Sequence, residues 1–146
     1  MTGLPNFEQR IAGRAGAAII DRLPDGPAGV PLVRCSGTID DEVFVGVYDQ
    51  VSQDCTGDRL VLVVDVRAAD MVVGFDGYAR AARLVRRRGI EEVFALVCDQ
   101  DAARVLDAKV GQEMAAVHGL RIVQRVIGRL EDAPAILAGL EARHRR

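Results

Sequence analysis

The chain has no tryptophan, and aromatic residues occupy only 4% of its 146 positions. Any core must therefore be filled by Val, Leu, Ile and Ala, which the 49% hydrophobic content supplies. Lysine is almost missing too. Lys109 is the single one, and every other residue of the basic set is Arg. Schiff-base or lysine general-base chemistry thus has one candidate at most. No excess of either charge exists, because the formal net charge is −2. Such a chain carries no field to draw it onto nucleic acid, which is not an expected partner.

The three cysteines, Cys35, Cys55 and Cys98, are odd in number and far apart. That excludes a disulfide framework and the short-spaced ligand pairs of a zinc site. Cys35 and Cys98 fall in expected strands and read as small hydrophobes. Cys55 falls in an expected turn. No apolar run approaches the roughly 18 residues of a membrane span. Met1 to Gln9 lacks the basic start and apolar run of a signal peptide. A reducing cytoplasm is the expected compartment.

Catalytic constellations are missing as well. The histidines, His118 and His144, lie at a helix end and in the tail. There is no Gly-x-Ser-x-Gly turn, no phosphate-binding loop and no paired-carboxylate motif. Ser36, Ser52, Cys55 and Cys98 have no histidine near them in sequence. A non-enzyme without metal or cofactor is expected. A small enzyme built on Asp65, Asp99 or Cys98 is the weakest of the functions weighed.

What is present is alternation of strand and helix patterns. Residues 1–23 are ambiguous: Phe7, Ile11 and Ala15 repeat at helical spacing, yet Ala17 to Leu23 reads as a strand. Pro24 to Pro27 is a turn. Val30 to Cys35 reads as a strand that ends at Gly37. Asp40 is placed to cap a helix whose apolar stripe is Val43, Val47 and Val51, flanked by Phe44 and Tyr48. Leu60 to Val66 is a nearly continuous Leu and Val run, the pattern of a central strand covered on both faces. A loop is expected over Arg67 to Gly74.

The next helix spans about Phe75 to Arg88. Its inner face is Tyr78, Ala81, Ala82 and Val85, and Gly89 stops it. Val93 to Cys98 is another buried strand. Asp99 to Asp101 open a helix with Ala103, Leu106, Val110, Met114 and Val117 on one face. Arg121 to Ile127 is an edge strand. Asp132 caps a last helix docked by Ile136, Leu137 and Leu140. The expected order is β-β-α-β-α-β-α-β-α: one α/β domain over 1–146, with its core at about 17–141 and a mixed, mostly parallel sheet.

This order, with Val33 to Asp40, Leu62 to Arg67 and Phe94 to Asp99, resembles the STAS (anti-sigma-factor-antagonist-like) superfamily. Arg129 to Ala133 before the last helix also fits. The SpoIIAA-like (STAS/SEC14) branch is the nearest in pattern. In antagonist members, a Ser or Thr at the start of the helix after the central strand is phosphorylated by a partner kinase. The matching stretch here, Asp70 to Gly77, holds no Ser or Thr. The resemblance then implies a regulatory binding domain without that switch. Its partner would be a protein, a second copy of the chain, or a small apolar or lipid-like ligand, and peripheral membrane contact stays open. A phosphorylation-independent signalling partner is the second reading.

Candidate binding residues lie where open α/β sheets take ligands, beyond the carboxyl ends of strands. They are Asp65, Arg67, Asp70, Met71, Val73, Gly74, Phe75, Asp99 and Asp101. Four carboxylates on one rim could hold Mg²⁺. Against that, Asp99 and Asp101 suit helix capping, and Asp65 suits pairing with Arg67. Met71 to Phe75 is apolar where a surface loop should be polar, which fits a core plug, a dimer contact or a pocket lip. Arg80, Arg83 and Arg87, beside Arg86 and Arg88, form a basic patch suited to phosphate groups or simply a solvated helix face.

Overall fold

The computed structural model describes residues 8–27, 29–99 and 104–144, the side chains of 104–110 and 141–144 excepted. These residues form β1 (Gln9–Ala12), β2 (Gly16–Arg22), β3 (Pro31–Ile39), α1 (Asp41–Gln53), β4 (Arg59–Met71), α2 (Phe75–Arg87), β5 (Glu92–Cys98), α3 (Arg104–Val117), β6 (Arg121–Ile127) and α4 (Ala133–His144). A single 3-10 turn, Leu130–Asp132, leads into α4.

The six strands stand in chain order in one sheet. β1, β2 and β3 pair antiparallel, and β3 through β6 pair parallel. Each crossover steps one strand further in the same direction, and α1, α2 and α3 pack side by side on one face. Side chains alternate across β4 between two cores. Leu60, Leu62 and Val66 join the core under α1, α2 and α3. Val63 joins the other, under α4, with Phe94, Leu96, Ile127, Ala133 and Leu137. The result is one α/β domain with helices on both faces of a mixed, mostly parallel sheet.

Local chemistry explains most boundaries. Asp40 accepts the Val43 N–H at 3.1 Å and starts α1, whose Val43, Val47 and Val51 are buried as their spacing predicts. Gly89, at φ +85°, turns the chain after α2. Leu137 is buried, and Ile136 and Leu140 pack around it.

Five expectations are corrected. The ambiguous N-terminus forms an additional strand, β1, so the order gains a strand and the sheet opens on a three-stranded antiparallel segment. Phe7 lies outside the described residues, and the helical spacing of Ile11 and Ala15 misleads, because Ile11 packs on the core from a strand. β3 does not end at Gly37; it continues to Ile39 through a glycine at φ +73°.

The loop expected over Arg67 to Gly74 is mostly strand, since β4 runs to Met71. The register shows why: Arg34 pairs with Asp65, but Ser36 pairs with Ala68. One extra residue in β4 makes a bulge that shifts which positions face inward. Val66 and Ala69, an odd number apart, therefore enter the same core. On α3, Val117 is 76% exposed and Ala115 is buried instead.

Candidate functional site

β4 outruns its neighbour. Pairing between β4 and β5 stops at Asp65 and Cys98, while β4 continues six residues to Met71 along β3 alone. This leaves a notch at the carboxyl ends of the parallel strands, roofed by the helices. A cavity of about 170 Å³ fills it. Its floor is Val64, Val66, Ala95 and Val97 from the central strands, with Ile122 and Val126 from β6.

The roof is aromatic. Phe44 and Tyr48 come from α1, and Tyr78 comes from α2. The Phe44 ring lies 5.0 Å from Tyr48 and 5.1 Å, edge-on, from Tyr78, so the three rings make one continuous wall. Both tyrosines of the chain meet here. Burial pushes the Tyr48 phenol above its ordinary range, with Tyr78 adding to the shift, so it stays a neutral hydroxyl. Gly111 of α3 makes room for Tyr78, since a Cβ there would stand 2.8 Å from the ring.

The mouth is acidic. Asp99 follows β5, lines the cavity and is only 8% exposed. Its backbone N–H donates to the Ile127 carbonyl at 3.1 Å, which fixes the residue against β6. Asp70, exposed, and Met71, half-buried, border the cavity from the β4 overhang.

Asp65 and Asp99, two of the four carboxylates weighed as a rim, do not stand together. Asp65 lies beside Cys98 in register, on the α4 face of the sheet, whereas Asp99 lies on the helix-roofed face. Asp65 is held by a two-pronged pair with Arg67, Nε to Oδ1 and Nη2 to Oδ2 both at 2.9 Å. That pair holds the Asp65 carboxyl below its usual range, the hydrogen bond from Arg67 being the main cause. Asp101 lies outside the described residues. Among the described residues, no group of three or more His, Cys, Asp or Glu stands together as a metal site.

Phe75 and Val72 are 65% and 51% exposed on either side of Gly74, while Val73 is half-buried. The Gly74 N–H donates to Asp41 at 2.7 Å, which ties this turn to α1. The basic patch is largely used internally. Arg80 pairs with Glu42 at 2.7 Å and with Asp76 at 3.7 Å. Arg86 donates to the Ile90 carbonyl, and Arg88 to Asp49 and Ser52. Arg83 and Arg87 are exposed, although Arg87 donates to the Arg83 carbonyl within α2.

A larger hollow, about 760 Å³, lies at the amino ends of the strands between the 54–57 turn and α4. Arg59 borders it with its Nε buried and not hydrogen-bonded. That nitrogen is 3.4 Å from Glu92, close enough for an ion pair, and the guanidinium sits 5.6 Å from the Phe94 ring. Its charge is thus already balanced. Among the described residues, no helix is long and apolar enough to cross a membrane.

Sequence reasoning placed Asp70, Met71 and Asp99 at this cavity and missed Phe44, Tyr48, Tyr78 and Gly111. The available signal was the pairing of aromatic residues with the inner faces of two successive helices, which reads equally as core. No protein-family model, curated protein or solved structure matches the chain.

Proposed function

We propose that this chain is a non-catalytic, STAS-like binding module that takes one small apolar ligand in the cavity under Phe44, Tyr48 and Tyr78. The aromatic-walled cavity at the carboxyl ends of the parallel strands carries the reading. Its size sets the ligand. A cavity of about 170 Å³ resembles those that hold a single benzene-sized body. It falls below the roughly 300 Å³ and more of sites for drug-sized molecules, so one ring suits it better than a lipid chain. The groups weighed for catalysis support this. Cys98 is fully buried on the α4 side of the sheet, and Asp65 is engaged by Arg67.

The test uses benzyl alcohol as probe, followed by amide NMR shifts. Shifts centred on Val97, Asp99 and Val126 at millimolar probe are expected. A Val126→Trp variant, placed at a 39% exposed position that lines the cavity from β6, should abolish them with the melting temperature unchanged. Shifts spread evenly over the surface, or none, would sink the reading.

A second reading rests on one observation: Phe75 and Val72 expose apolar side chains beside the mouth. They suit a protein partner that reads whether the cavity is filled. Because Asp70 to Gly77 carries no hydroxyl, such signalling would not depend on phosphorylation there. Pull-down with the wild type and with Phe75→Ser, each with and without benzyl alcohol, tests it. A partner retained equally by all four samples would count against it.

A further inference from the structure

We infer that the ligand of this cavity is a single ring bearing a hydrogen-bonding oxygen, and that the Tyr48 hydroxyl is the group that meets that oxygen. The inference rests on the reading of the cavity as a ligand site and adds the polar contact that orients what it takes.

Three observations carry it. The first is a hydroxyl without a bond. Among the described residues, none hydrogen-bonds the Tyr48 hydroxyl. Buried side-chain hydroxyls normally have a partner, so a free one calls for a reason.

The second is where that hydroxyl faces. Among the described residues, Arg59 Nε is the one fully enclosed side-chain polar atom without a hydrogen bond. The Tyr48 oxygen, equally without one, is therefore not enclosed. Yet it lies deep. Burial pushes the phenol above its ordinary range, and Tyr78 of α2 and the Cys35 thiol of β3 add to the shift. A group both deep and open faces an internal space, and the space that Tyr48 lines is the cavity.

The third is what filling the space does. A ring that occupies about 170 Å³ here excludes water from the hydroxyl. A ligand with no polar atom leaves it stranded and incurs its full desolvation cost, whereas an oxygen on the ligand replaces the lost bond. Phe at position 48 would serve a wholly apolar ligand better. Gln112 and Gln124 border the same cavity, and their amide carbonyls can accept from the ligand's own O–H.

The experiment compares phenol and toluene, which match in shape and differ by a hydroxyl for a methyl. Affinities are read from the shifts of the Val97, Asp99 and Val126 amides in the full chain. The wild type should bind phenol at least as tightly as toluene. In Tyr48→Phe the ratio of phenol to toluene affinity should fall roughly tenfold, with phenol weakened and toluene unchanged or tighter. If that variant does not fold, the wild-type order decides alone, because a cavity with no polar group to offer prefers toluene.

A ratio unchanged by Tyr48→Phe would overturn the inference and leave the cavity reading standing. So would tighter binding of toluene than of phenol by the wild type. If neither probe nor benzyl alcohol binds, the cavity reading itself fails.

Discussion

The Asp41 carboxylate accepts the backbone N–H of Gly74 at 2.7 Å, and so the first turn of α1 holds the start of α2. Asp41 Oδ1 would also lie 2.5 Å from a Cβ added at Gly77. One carboxylate therefore ties the β4–α2 turn and favours glycine at the third residue of α2. Gly74 sits at the N-cap of α2 without a side-chain cap of its own, so Asp41 supplies from another helix part of what a cap would.

The two residues should be coupled. Asp41→Ala is expected to cost about 1 kcal/mol, the scale of a partly exposed charged hydrogen bond. Gly77→Ala should cost more than that in the wild-type background, because the carboxylate must move. In the Asp41→Ala background the same glycine change should cost less than in wild type, because the carboxylate is gone and alanine is the better helix former, while Val73 Cγ1 at 2.9 Å must still give way. Urea unfolding of the four proteins gives the interaction free energy. Strict additivity would show that the packing at Gly77 does not depend on Asp41.

The tie also shows what a sequence can and cannot reveal. Asp40 as helix cap, the valine stripe of α1, the Leu and Val run of β4 and the glycine stop after α2 are local devices. Each was legible because cause and effect lie within a few residues. The carboxyl half of β4 was not legible. Arg67 to Asp70 is small and polar because that stretch pairs with β3 alone, and a bulge breaks its alternation.

The site was half legible for the same reason. Position at a strand end marks Asp99, but the aromatic roof exists only once α1 and α2 lie side by side. Nothing local distinguishes Tyr48 or Tyr78 from ordinary core residues. Asp65 and Asp99, alike in sequence context, separate because β5 ends at Cys98 and the next residue faces the opposite side of the sheet.

Arg88 closes the far end of the same helix pair. Its guanidinium donates to the Asp49 backbone carbonyl, to Asp49 Oδ1 and to the Ser52 hydroxyl, and Ser52 is 2% exposed. Arg88→Ala should cost about 1–2 kcal/mol, since it removes charged hydrogen bonds to a partly buried group. Arg88→Lys should recover only part of this, because one ammonium cannot span three acceptors as a planar fork does. Arg87→Ala, at an exposed neighbour, should change stability by less than about 0.5 kcal/mol. A full recovery by lysine in chemical denaturation would show that charge alone matters at this position.

Gly111 sets the shape of the cavity from α3. In Gly111→Ala the new methyl would stand 2.8 Å from the Tyr78 ring, so the ring must shift. The helix gains from alanine by up to about 1 kcal/mol, which offsets part of the strain. The melting temperature is expected to move little while benzyl alcohol binds at least several-fold more weakly. Unchanged affinity would place the binding surface away from Tyr78.

Stability at alkaline pH should fall in a defined window because of Cys35. The side chain is 6% exposed in the core beneath α1, and burial, with the Asp65 charge adding to it, pushes the thiol from 9.0 up to about 12. In the unfolded chain the thiol ionises in its ordinary range, so above that range the unfolded state holds fewer protons than the folded one. Stability is therefore complete below the ordinary thiol value and declines as pH rises towards the folded value. The slope from one such group is about 1.4 kcal/mol per pH unit. Burial raises the Cys98 thiol and the Tyr48 phenol in the same direction, so the wild-type decline contains more than one contribution. Cys35→Val removes one of them and preserves an apolar side chain of similar size. Urea unfolding of both proteins at steps between about pH 8 and pH 11 should show the same sign of slope in each, shallower in the variant. Parallel curves would mean that Cys35 ionises in the folded chain as readily as in the unfolded one, and that water reaches it beneath α1.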